Sequence, residues 1–405
     1  MSHKRVLVTV AGGDAPGITA TLTGIIASDG AQLLDIEQVV VQGQLTLCLV
    51  IGVPDSEGRG STVIRDLLFA AKEIGLDLDF EVLGDKPAAP QLPRLSYAVT
   101  IIGDIVDAPT VHAVTSTLAR LGANIDAIER LSDETLSSLE IVISLERNED
   151  RAHELRRELM AIATTRGVDL AFQRETLTRR AKRLVVMDMD STLIRIEVID
   201  ELARAWGVYD AVAELTRTAM RGGMPYEESL KLRVAMLKDM PLAQVMAIAT
   251  DPPLTQGAPE LLRVLRGLGY KTAVISGGFS FAADALRSKL GLDYAYANQL
   301  EVKDGKLTGR VLEPIVGPQR KADLLDAIAQ RENIALEQTI AIGDGANDLL
   351  MLEKAGLGIA FHAKQKLKDA ADTSLSQGGL DRILYLLGLR ARDIKEFLEG
   401  RLDGR

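Results

Sequence analysis

The sequence contains little of several residue types, and each shortage excludes a class of protein. Its 405 residues include a single cysteine, Cys48, so no disulfide can form within the chain. The four histidines are scattered without zinc-ligand spacing, which excludes a metal site of the cysteine and histidine kind. No run of about 18 uninterrupted apolar residues occurs, so we expect no membrane-spanning helix. The first residues also lack the long apolar region of a signal peptide, and we therefore expect a cytoplasmic protein.

Positive charge is in short supply as well. The chain has 47 Lys and Arg against 57 Asp and Glu, a formal net charge of −10. An acidic chain does not attract nucleic acid or an anionic membrane surface unless it carries a local basic patch. The densest basic stretch, residues 174–183, is short and contains acid too, and we interpret it as a solvated linker or helix end. We expect neither nucleic acid nor a membrane as a partner.

The first half of the chain contains a repeat. "GAQLLDIEQV" begins at Gly30 and "GANIDAIERL" begins at Gly122, and matching residues are separated by a constant 92 positions. Each copy reads as strand, helix, two strands, helix and strand, which is the order of a ferredoxin-like βαββαβ domain. We place the copies at residues 1–86 and 94–172, on either side of the Pro-rich linker "GDKPAAPQLPR".

The pattern changes near residue 183. Short apolar runs such as "RLVVM", "YKTAVIS" and "TIAIG" alternate with helical segments, which predicts an α/β domain with a parallel sheet covered on both faces. We place this domain at residues 183–395. A helical stretch after its first strand predicts an inserted cap at about residues 197–256. "NQLEVKDGKLTGRV" predicts a hairpin with its turn at Asp304 and Gly305.

Polar side chains follow three of these predicted strands. Ligands of open α/β sheets bind at the carboxyl ends of the strands, so we expect these side chains to converge. Each motif alone is typical of a polar turn, and only their joint order is specific. No GxxxxGK[ST] occurs and no GxGxxG follows a strand, so the known nucleotide motifs are absent. The converging residues are Asp188, Asp190, Thr192, Ser276, Gly277, Lys321, Asp344, Asn347 and Asp348.

Clustered carboxylates repel one another, and a hard divalent cation relieves that repulsion. Mg²⁺ prefers oxygen ligands and usually accepts one or two carboxylates together with a substrate phosphate. We predict Mg²⁺ as the cofactor, with Asp188, Asp190 and Asp344 as its residues, Asp190 through its backbone carbonyl. The cation, Lys321 and backbone N–H groups would favour an anionic substrate.

These motifs resemble those of the haloacid dehalogenase superfamily of phosphohydrolases. The DxDST form, with Glu197 and Arg233 in a small helical cap, is similar to the phosphoserine phosphatases, and the resemblance covers residues 183–387. It implies Mg²⁺-dependent hydrolysis of O-phospho-L-serine to L-serine and phosphate, the last step of serine biosynthesis, through an aspartyl phosphate.

The resemblance also implies a role for each residue. Asp188 is the nucleophile, and Asp190 is the general acid and then the general base. Ser276, Gly277 and Lys321 hold the phosphoryl oxygens. Thr192 supports the loop, and Asn347 and Asp348 orient metal waters or Lys321. Asn347 is also one of the predicted substrate-binding residues.

Glu197 and Arg233 would select the substrate. Glu197 could pair with an α-ammonium and Arg233 with an α-carboxylate. From the residues alone, Glu197 could instead be a helix-start acid and Arg233 a solvent-facing residue. A different small-cap phosphatase would act on phosphothreonine, phosphohomoserine or a phosphoprotein. An amino-acid-sensing regulator with a residual phosphatase fold is the other alternative, but the intact catalytic set favours an enzyme.

The two N-terminal copies resemble ACT domains, small amino-acid-sensing modules. "DAPG" at residues 14–17 fits the ACT turn, whereas the second copy has "DAPT". An effector such as L-serine would bind at Asp14 and Gly17 or, in the second copy, at Asp104 and Asp107. Alternatively, the turn is only a strand–helix connection whose Asp caps the helix, or the copies serve assembly by pairing exposed sheet edges into a homodimer.

Overall fold

A computed structural model describes residues 3–54, 59–83, 94–133, 135, 137–220 and 223–400. The chain divides into two units, residues 1–91 and residues 92–405, and each is described by itself. Among the described residues, no helix is both long and apolar enough to cross a bilayer.

The first unit is one copy of the repeat. Its elements are β1 (His3–Gly13), α1 (Ile18–Ser28), β2 (Gln32–Val41), β3 (Gln44–Pro54), α2 (Arg59–Glu73) and β4 (Asp77–Leu83). The strands form an antiparallel sheet in the order β2-β3-β1-β4. Alternate residues of β1 and β3, such as Val8 and Leu49, are buried together with Leu22 of α1. The predicted βαββαβ order is therefore confirmed for this copy.

The second copy has the same arrangement. Its elements are β5 (Arg94–Ile102), α3 (Ala108–Arg120), β6 (Asn124–Arg130), β7 (Ser138–Glu146), α4 (Glu149–Arg166) and β8 (Asp169–Arg174). The strand order β8-β5-β7-β6 repeats that of the first copy. Gly122 follows α3 with a φ of 77°, and Gly30 follows α1 with a φ of 70°. Both glycines thus follow a helix end in the left-handed conformation that favours glycine.

The α/β domain is built on seven strands. They are β9 (Leu184–Met187), β10 (Lys271–Phe279), β11 (Tyr294–Lys303), β12 (Lys306–Leu312), β13 (Thr339–Gly343), β14 (Gly358–Phe361) and β15 (Thr373–Leu375). Strands β11-β10-β9-β13-β14-β15 are parallel, and β12 pairs antiparallel with β11. The predicted hairpin is confirmed, since Asp304 and Gly305 both have positive φ in its two-residue turn.

Helices cover both faces of this sheet and form the cap. The cap contains α5 (Val198–Trp206), α6 (Tyr209–Met220), α7 (Tyr226–Ala235) and α8 (Leu242–Ala249). The cap is tied to the hairpin, because Asp239 N donates to Leu307 O at 2.8 Å. The remaining helices are α9 (Ala258–Gly267), α10 (Ser280–Leu290), α11 (Pro318–Arg331), α12 (Leu349–Lys354), α13 (Gln365–Ala370), α14 (Ile383–Leu386) and α15 (Ala391–Leu398).

The sheet of the second repeat continues into the α/β sheet. Thr373 of β15 pairs antiparallel with Ala171 of β8, which joins the strands into one eleven-stranded sheet. Asp169, at the start of β8, accepts hydrogen bonds from Ser376 N at 2.8 Å and Gln377 N at 3.1 Å. The second repeat and the α/β domain thus share one hydrogen-bonded frame.

The basic stretch at residues 174–183 is not the solvated linker that its composition predicts. The Arg179 side chain is 2% exposed and forms an ion pair with Glu140, which is equally buried. Arg180, 58% exposed, reaches the same carboxylate from outside. A buried charge needs a partner, and Glu140 on β7 supplies it. Composition could not reveal this pairing because the partner lies about forty residues earlier in the chain.

Candidate active site

Three carboxylates meet at the carboxyl edge of β9 and β13. Asp188 follows β9, whereas Asp344 and Asp348 follow β13, and one oxygen of each lies within 4.8 Å of the others. Burial, and then the facing charge of Asp188, raises the pKa of Asp344 to about 8. Three buried or half-buried carboxylates at this spacing fit a hard divalent cation, which would offset their repulsion.

Lys321 supplies positive charge next to two of these carboxylates. This side chain is fully buried, and its Nζ lies 2.9 Å from Asp188 Oδ1 and 2.7 Å from Asp348 Oδ1. Burial alone would lower the pKa of Lys321, but the two carboxylates outweigh it and raise that pKa. Lys321 therefore stays charged and fixes the carboxylate of Asp188, which also accepts a hydrogen bond from Met189 N at 2.7 Å.

Asp190 is directed away from the cluster. Its Oδ1 accepts a hydrogen bond from Val198 N at 2.9 Å, and its Oδ2 accepts one from Ser276 Oγ at 3.4 Å. An irregular turn over Met189–Leu193, in which Ser191 has a φ of 56°, sets this direction. Burial, and then the charge of Glu197, raises the pKa of Asp190 well above its usual value.

The carboxylate cluster therefore differs from the predicted metal set in one member. The sequence suggests Asp188, Asp190 and Asp344, whereas the clustered carboxylates are those of Asp188, Asp344 and Asp348. The carboxylate of Asp190 is engaged at the start of the cap, because Val198 N and Ser276 Oγ occupy it. A contribution from the backbone carbonyl of Asp190 stays a prediction.

The end of β10, residues 276–278, lines the same cavity. Ser276 is fully buried, and its Oγ accepts a hydrogen bond from Gly278 N at 2.8 Å. A Cβ at Gly278 would lie 2.3 Å from Asp190 Oδ2, so a glycine is required for this approach. Gly277 lines the cavity between them.

The predicted supporting residues have partners at the site. Thr192 Oγ1 donates to Asp344 Oδ1 at 3.1 Å, and Asp348 Oδ2 accepts a hydrogen bond from Gly345 N at 3.1 Å. Asn347 lines the cavity. The loop after β13 is thereby fixed to both the DxDST turn and Lys321.

Cap residues close the other side of a cavity of about 470 Å³. Glu197 and Arg233 both line it, together with Asp188 and Ser276. Glu197 lies at the start of α5 without capping it, and its Oε1 accepts a hydrogen bond from Ser191 Oγ at 2.7 Å. Arg233 is half-buried and donates to Ser229 O at 3.3 Å. The guanidinium and the carboxylate thus belong to the same cavity as the carboxylate cluster.

Sequence reasoning does not identify two further residues at the site. Tyr226 begins α7 inside "MPYEES", where an aromatic residue reads as ordinary helix packing. Asn298 is fully buried in β11 and donates to Gly277 O at 2.8 Å. An amide within an otherwise strand-like run was the available signal for Asn298, since a buried polar group needs partners.

Comparison with known proteins agrees with this geometry. The family model of haloacid dehalogenase-like hydrolases matches residues 185–353, and two ACT domain models match residues 4–81 and 96–173. A phosphoserine phosphatase of Mycobacterium tuberculosis is 40% identical over 96% of this chain and 94% of its own length. A phosphoserine phosphatase of Streptomyces coelicolor is 41% identical over 96% of this chain and 93% of its own. The chain belongs to the phosphoserine phosphatase family of haloacid dehalogenase-like hydrolases.

A solved structure supports the fold of this phosphatase family member. The crystal structure of a haloacid dehalogenase family hydrolase from Salmonella enterica serovar Typhi superposes with a TM-score of 0.63 at 31% identity. It covers 72% of this chain and 98% of the hydrolase chain. The α/β hydrolase domain and the two ACT domains inferred from the sequence are confirmed.

The ACT turns of this phosphatase family member differ in their contacts. In the first domain, Gly17 has a φ of 97° and no atom lies within 4 Å of a built Cβ, so backbone conformation and not close approach requires the glycine. Asp14 is exposed and does not cap α1. In the second domain, Asp107 caps α3 through Thr110 N at 2.9 Å. Asp104 forms an ion pair with Arg382 at 2.8 Å.

These contacts alter the prediction for the effector site. The alternative that the turn's Asp only caps the following helix holds for Asp107 and does not hold for Asp14. In the second domain both carboxylates have protein partners, although they too are exposed. Binding of an effector at any of the four residues stays a prediction.

Proposed function

We propose that this enzyme hydrolyses O-phospho-L-serine to L-serine and phosphate through a phosphorylated Asp188. The observation that carries the proposal is the placement of Asp188 between Lys321 and the carboxylate of Asp344, with Arg233 and Glu197 across the same cavity. The named function of the relatives supports the substrate. The enzyme then catalyses the last step of serine biosynthesis.

In the first step the carboxylate of Asp188 attacks phosphorus, and the bond from phosphorus to the seryl oxygen breaks. Asp190 donates its proton to the departing oxygen, so L-serine leaves with a neutral hydroxyl. Lys321 and the donors of the Ser276 loop stabilise the charge that develops on the phosphoryl oxygens. Asp190 is bonded to Ser276, which brings the acid next to that loop.

In the second step water attacks the phosphorus of the aspartyl phosphate. Asp190, now ionised, accepts the proton of that water, and the bond from Asp188 to phosphorus breaks. Phosphate leaves, and both aspartates return to their starting states. Asp188 and Asp190 lie two residues apart on one turn, so a single loop supplies nucleophile and proton carrier.

Asp188 and Asp344 would hold Mg²⁺, with the backbone carbonyl of Asp190 as a further ligand. When bound, the cation neutralises charge on the transferring phosphoryl group and offsets the repulsion among the carboxylates. Asp348, paired with Lys321, holds the lysine in position for the same charge.

Substrate choice resides in the cap. Arg233 receives the α-carboxylate of phosphoserine as a two-pronged donor, and Glu197 receives its α-ammonium. A cavity of about 470 Å³ lined from both sides suits a small ligand, since small-molecule sites run from about 300 to 1,000 Å³.

Regulation and assembly form the remainder of the proposal. L-Serine binds at the turn of the first ACT domain and lowers turnover. The edge strand β2 pairs two chains into a homodimer, because all ten of its residues are exposed and its outer hydrogen-bonding groups invite another strand.

The test is a substrate panel with Mg²⁺ and with EDTA. It compares phosphoserine, phosphothreonine, phosphohomoserine, a phosphopeptide and p-nitrophenyl phosphate. We expect phosphoserine to have the highest kcat/KM and EDTA to abolish turnover. Arg233→Ala should raise KM for phosphoserine far more than for p-nitrophenyl phosphate, whereas Arg217→Ala, on the exposed side of the cap, should change neither. A higher kcat/KM for another phosphate ester would contradict the proposed substrate. If Arg233→Ala raised KM equally for phosphoserine and p-nitrophenyl phosphate, Arg233 would have no role in recognising the serine part.

A further inference from the structure

The first residue of α7 connects the cap with the phosphate-binding loop. The hydroxyl of Tyr226 donates to Gly277 O at 3.2 Å and lies 3.5 Å from Val316 O. Gly277 belongs to the phosphate-binding loop, residues 276–278 at the end of β10, and Val316 lies just before α11, which carries Lys321. A single cap side chain therefore contacts both core segments that hold the phosphoryl group.

Gly277 accommodates this contact. A Cβ at Gly277 would lie 2.2 Å from Tyr226 Oη and 3.2 Å from Tyr226 Cζ. At Gly317, by contrast, a Cβ would lie 3.4 Å from Tyr226 Cδ1, an ordinary van der Waals contact that the ring would tolerate. Gly277 has no positive φ that would require a glycine, so the close approach of the hydroxyl is the reason for one.

Asn298 holds the same carbonyl from the core side. Its Nδ2 donates to Gly277 O at 2.8 Å, and its Oδ1 accepts a hydrogen bond from Val316 N at 2.7 Å. A carbonyl oxygen has two lone pairs, so it can accept from Asn298 and Tyr226 together. Removing the tyrosine hydroxyl would leave Gly277 O bonded to Asn298. The loop would lose its tie to the cap without gaining an unpaired buried acceptor.

Tyr226 also shares a helix face with the specificity residue. Arg233 lies seven residues later on α7, two turns along the same face, and both side chains line the cavity. Burial raises the pKa of Tyr226 to about 12, so its hydroxyl remains a donor at neutral pH. Whatever fixes Tyr226 against the core also fixes the position of Arg233 over the substrate.

We propose that Tyr226 is a positioning residue whose hydroxyl fastens the cap onto the phosphate-binding loop and so presents Arg233 to the substrate. The inference rests on the proposed function, because it assigns the contact to recognition of the amino-acid part of phosphoserine. The chemistry at phosphorus depends on core residues and does not need the contact.

The first test is Tyr226→Phe, which keeps the ring and removes the hydroxyl. We expect kcat/KM for phosphoserine to fall about fivefold, the size of one neutral hydrogen bond, mostly through KM. The value for p-nitrophenyl phosphate should stay the same, and so should the melting temperature. Tyr209→Phe is the matched control, because this cap tyrosine lies against Arg204, with the guanidinium 4.4 Å from its ring, and should change nothing.

The second test uses the interlocked pair. Gly277→Ala should lower phosphoserine turnover, because the new Cβ meets the tyrosine hydroxyl. Adding Tyr226→Phe removes the nearest atom and should restore part of the activity, although the same change lowers activity in the wild-type background. This reversal of sign is not expected of a residue that only supports folding.

The proposal is overturned if Tyr226→Phe leaves phosphoserine kinetics unchanged or lowers kcat/KM equally for phosphoserine and p-nitrophenyl phosphate. It is also overturned if adding Tyr226→Phe to Gly277→Ala does not raise phosphoserine turnover. The proposed function fails separately, and visibly, if the wild-type enzyme turns over p-nitrophenyl phosphate but does not hydrolyse phosphoserine.

Discussion

The two ACT domains share one fold and have different structural settings. In the first, β2 and β4 are the outer strands of a four-stranded sheet that forms a unit of its own. In the second, the strand equivalent to β4 is β8, which pairs with β15 and continues the hydrolase sheet. Sequence similarity between two copies therefore does not imply that they serve the enzyme in the same way.

The difference extends to the turns where an effector is predicted. Asp104 in the second domain pairs with Arg382 of the hydrolase domain, and Asp107 caps its helix. Both residues are exposed, as is Asp14 in the first domain, but Asp14 does not cap its helix. The second domain is thus built into the catalytic unit, and the first is the better candidate for sensing.

The largest effect should come from where the chain is cut. A protein starting at Leu92 keeps the eleven-stranded sheet and should hydrolyse phosphoserine as the full chain does. A protein starting at Arg183 loses β8, Asp169 and the Arg179–Glu140 pair, and should melt at least about 10 °C lower than the Leu92 protein. The measurements are the melting temperatures of the two truncated proteins and the rates at which they and the full chain hydrolyse phosphoserine. Equal melting temperatures would mean that the second domain is only an appendage.

The next effect tests the buried junction without removing a domain. Arg179→Ala leaves the carboxylate of Glu140 without its buried partner, and breaking such pairs costs about 3–5 kcal/mol. Arg180→Ala is the matched control, because its exposed guanidinium reaches the same carboxylate and exposed pairs contribute about 0–1 kcal/mol. Denaturant unfolding of the Leu92 protein should show a much larger loss for Arg179. Similar losses for both would contradict the burial argument.

How far the sequence predicts the structure depends on the range of the contacts involved. Asp188 and Asp344 each follow a strand and Ser276 lies near the end of β10, so the sheet's periodicity and the rule for strand ends bring them together. The burial of the basic stretch is not predicted, because Glu140, the buried partner of Arg179, is about forty residues away, whereas Glu175, its other partner, lies within the stretch. The junction between β8 and β15 was not predicted either, because backbone pairing between edge strands leaves little trace in side-chain patterns. Tyr226 was missed for a related reason, since its partner is a backbone carbonyl.

A smaller effect concerns the effector. If the first domain senses L-serine, Asp14→Ala should weaken inhibition of the full chain by added L-serine without changing turnover in its absence. Asp104→Ala should leave that inhibition as it is, because Asp104 is paired with Arg382. Initial rates against L-serine concentration measure both. Loss of inhibition in Asp104→Ala alone would move sensing to the second domain.

The smallest effect is a pH dependence at the junction. Burial lowers the pKa of Lys182 to about 8, so the unfolded chain binds more protons at this site between about pH 8 and 10.5. Below pH 8 the buried charge of Lys182 destabilises the folded state. The stability of the wild-type protein relative to Lys182→Met therefore rises as the pH increases from about 8 to 10.5. Melting temperatures at pH 7.5 and 9.5 measure the change. Lys303→Met, at an exposed lysine, should show no such trend; a parallel response of both variants would exclude Lys182 as the cause.

The most direct measurement of the central claim is to trap the phosphorylated enzyme. The wild-type protein, with Mg²⁺, is mixed with O-phospho-L-serine carrying radioactive phosphorus and quenched in acid within one turnover. We predict protein-bound phosphate on the peptide that contains Asp188, released by hydroxylamine as expected of an acyl phosphate and absent from Asp188→Asn. Label on a different residue, or undiminished turnover by Asp188→Asn, would contradict the account.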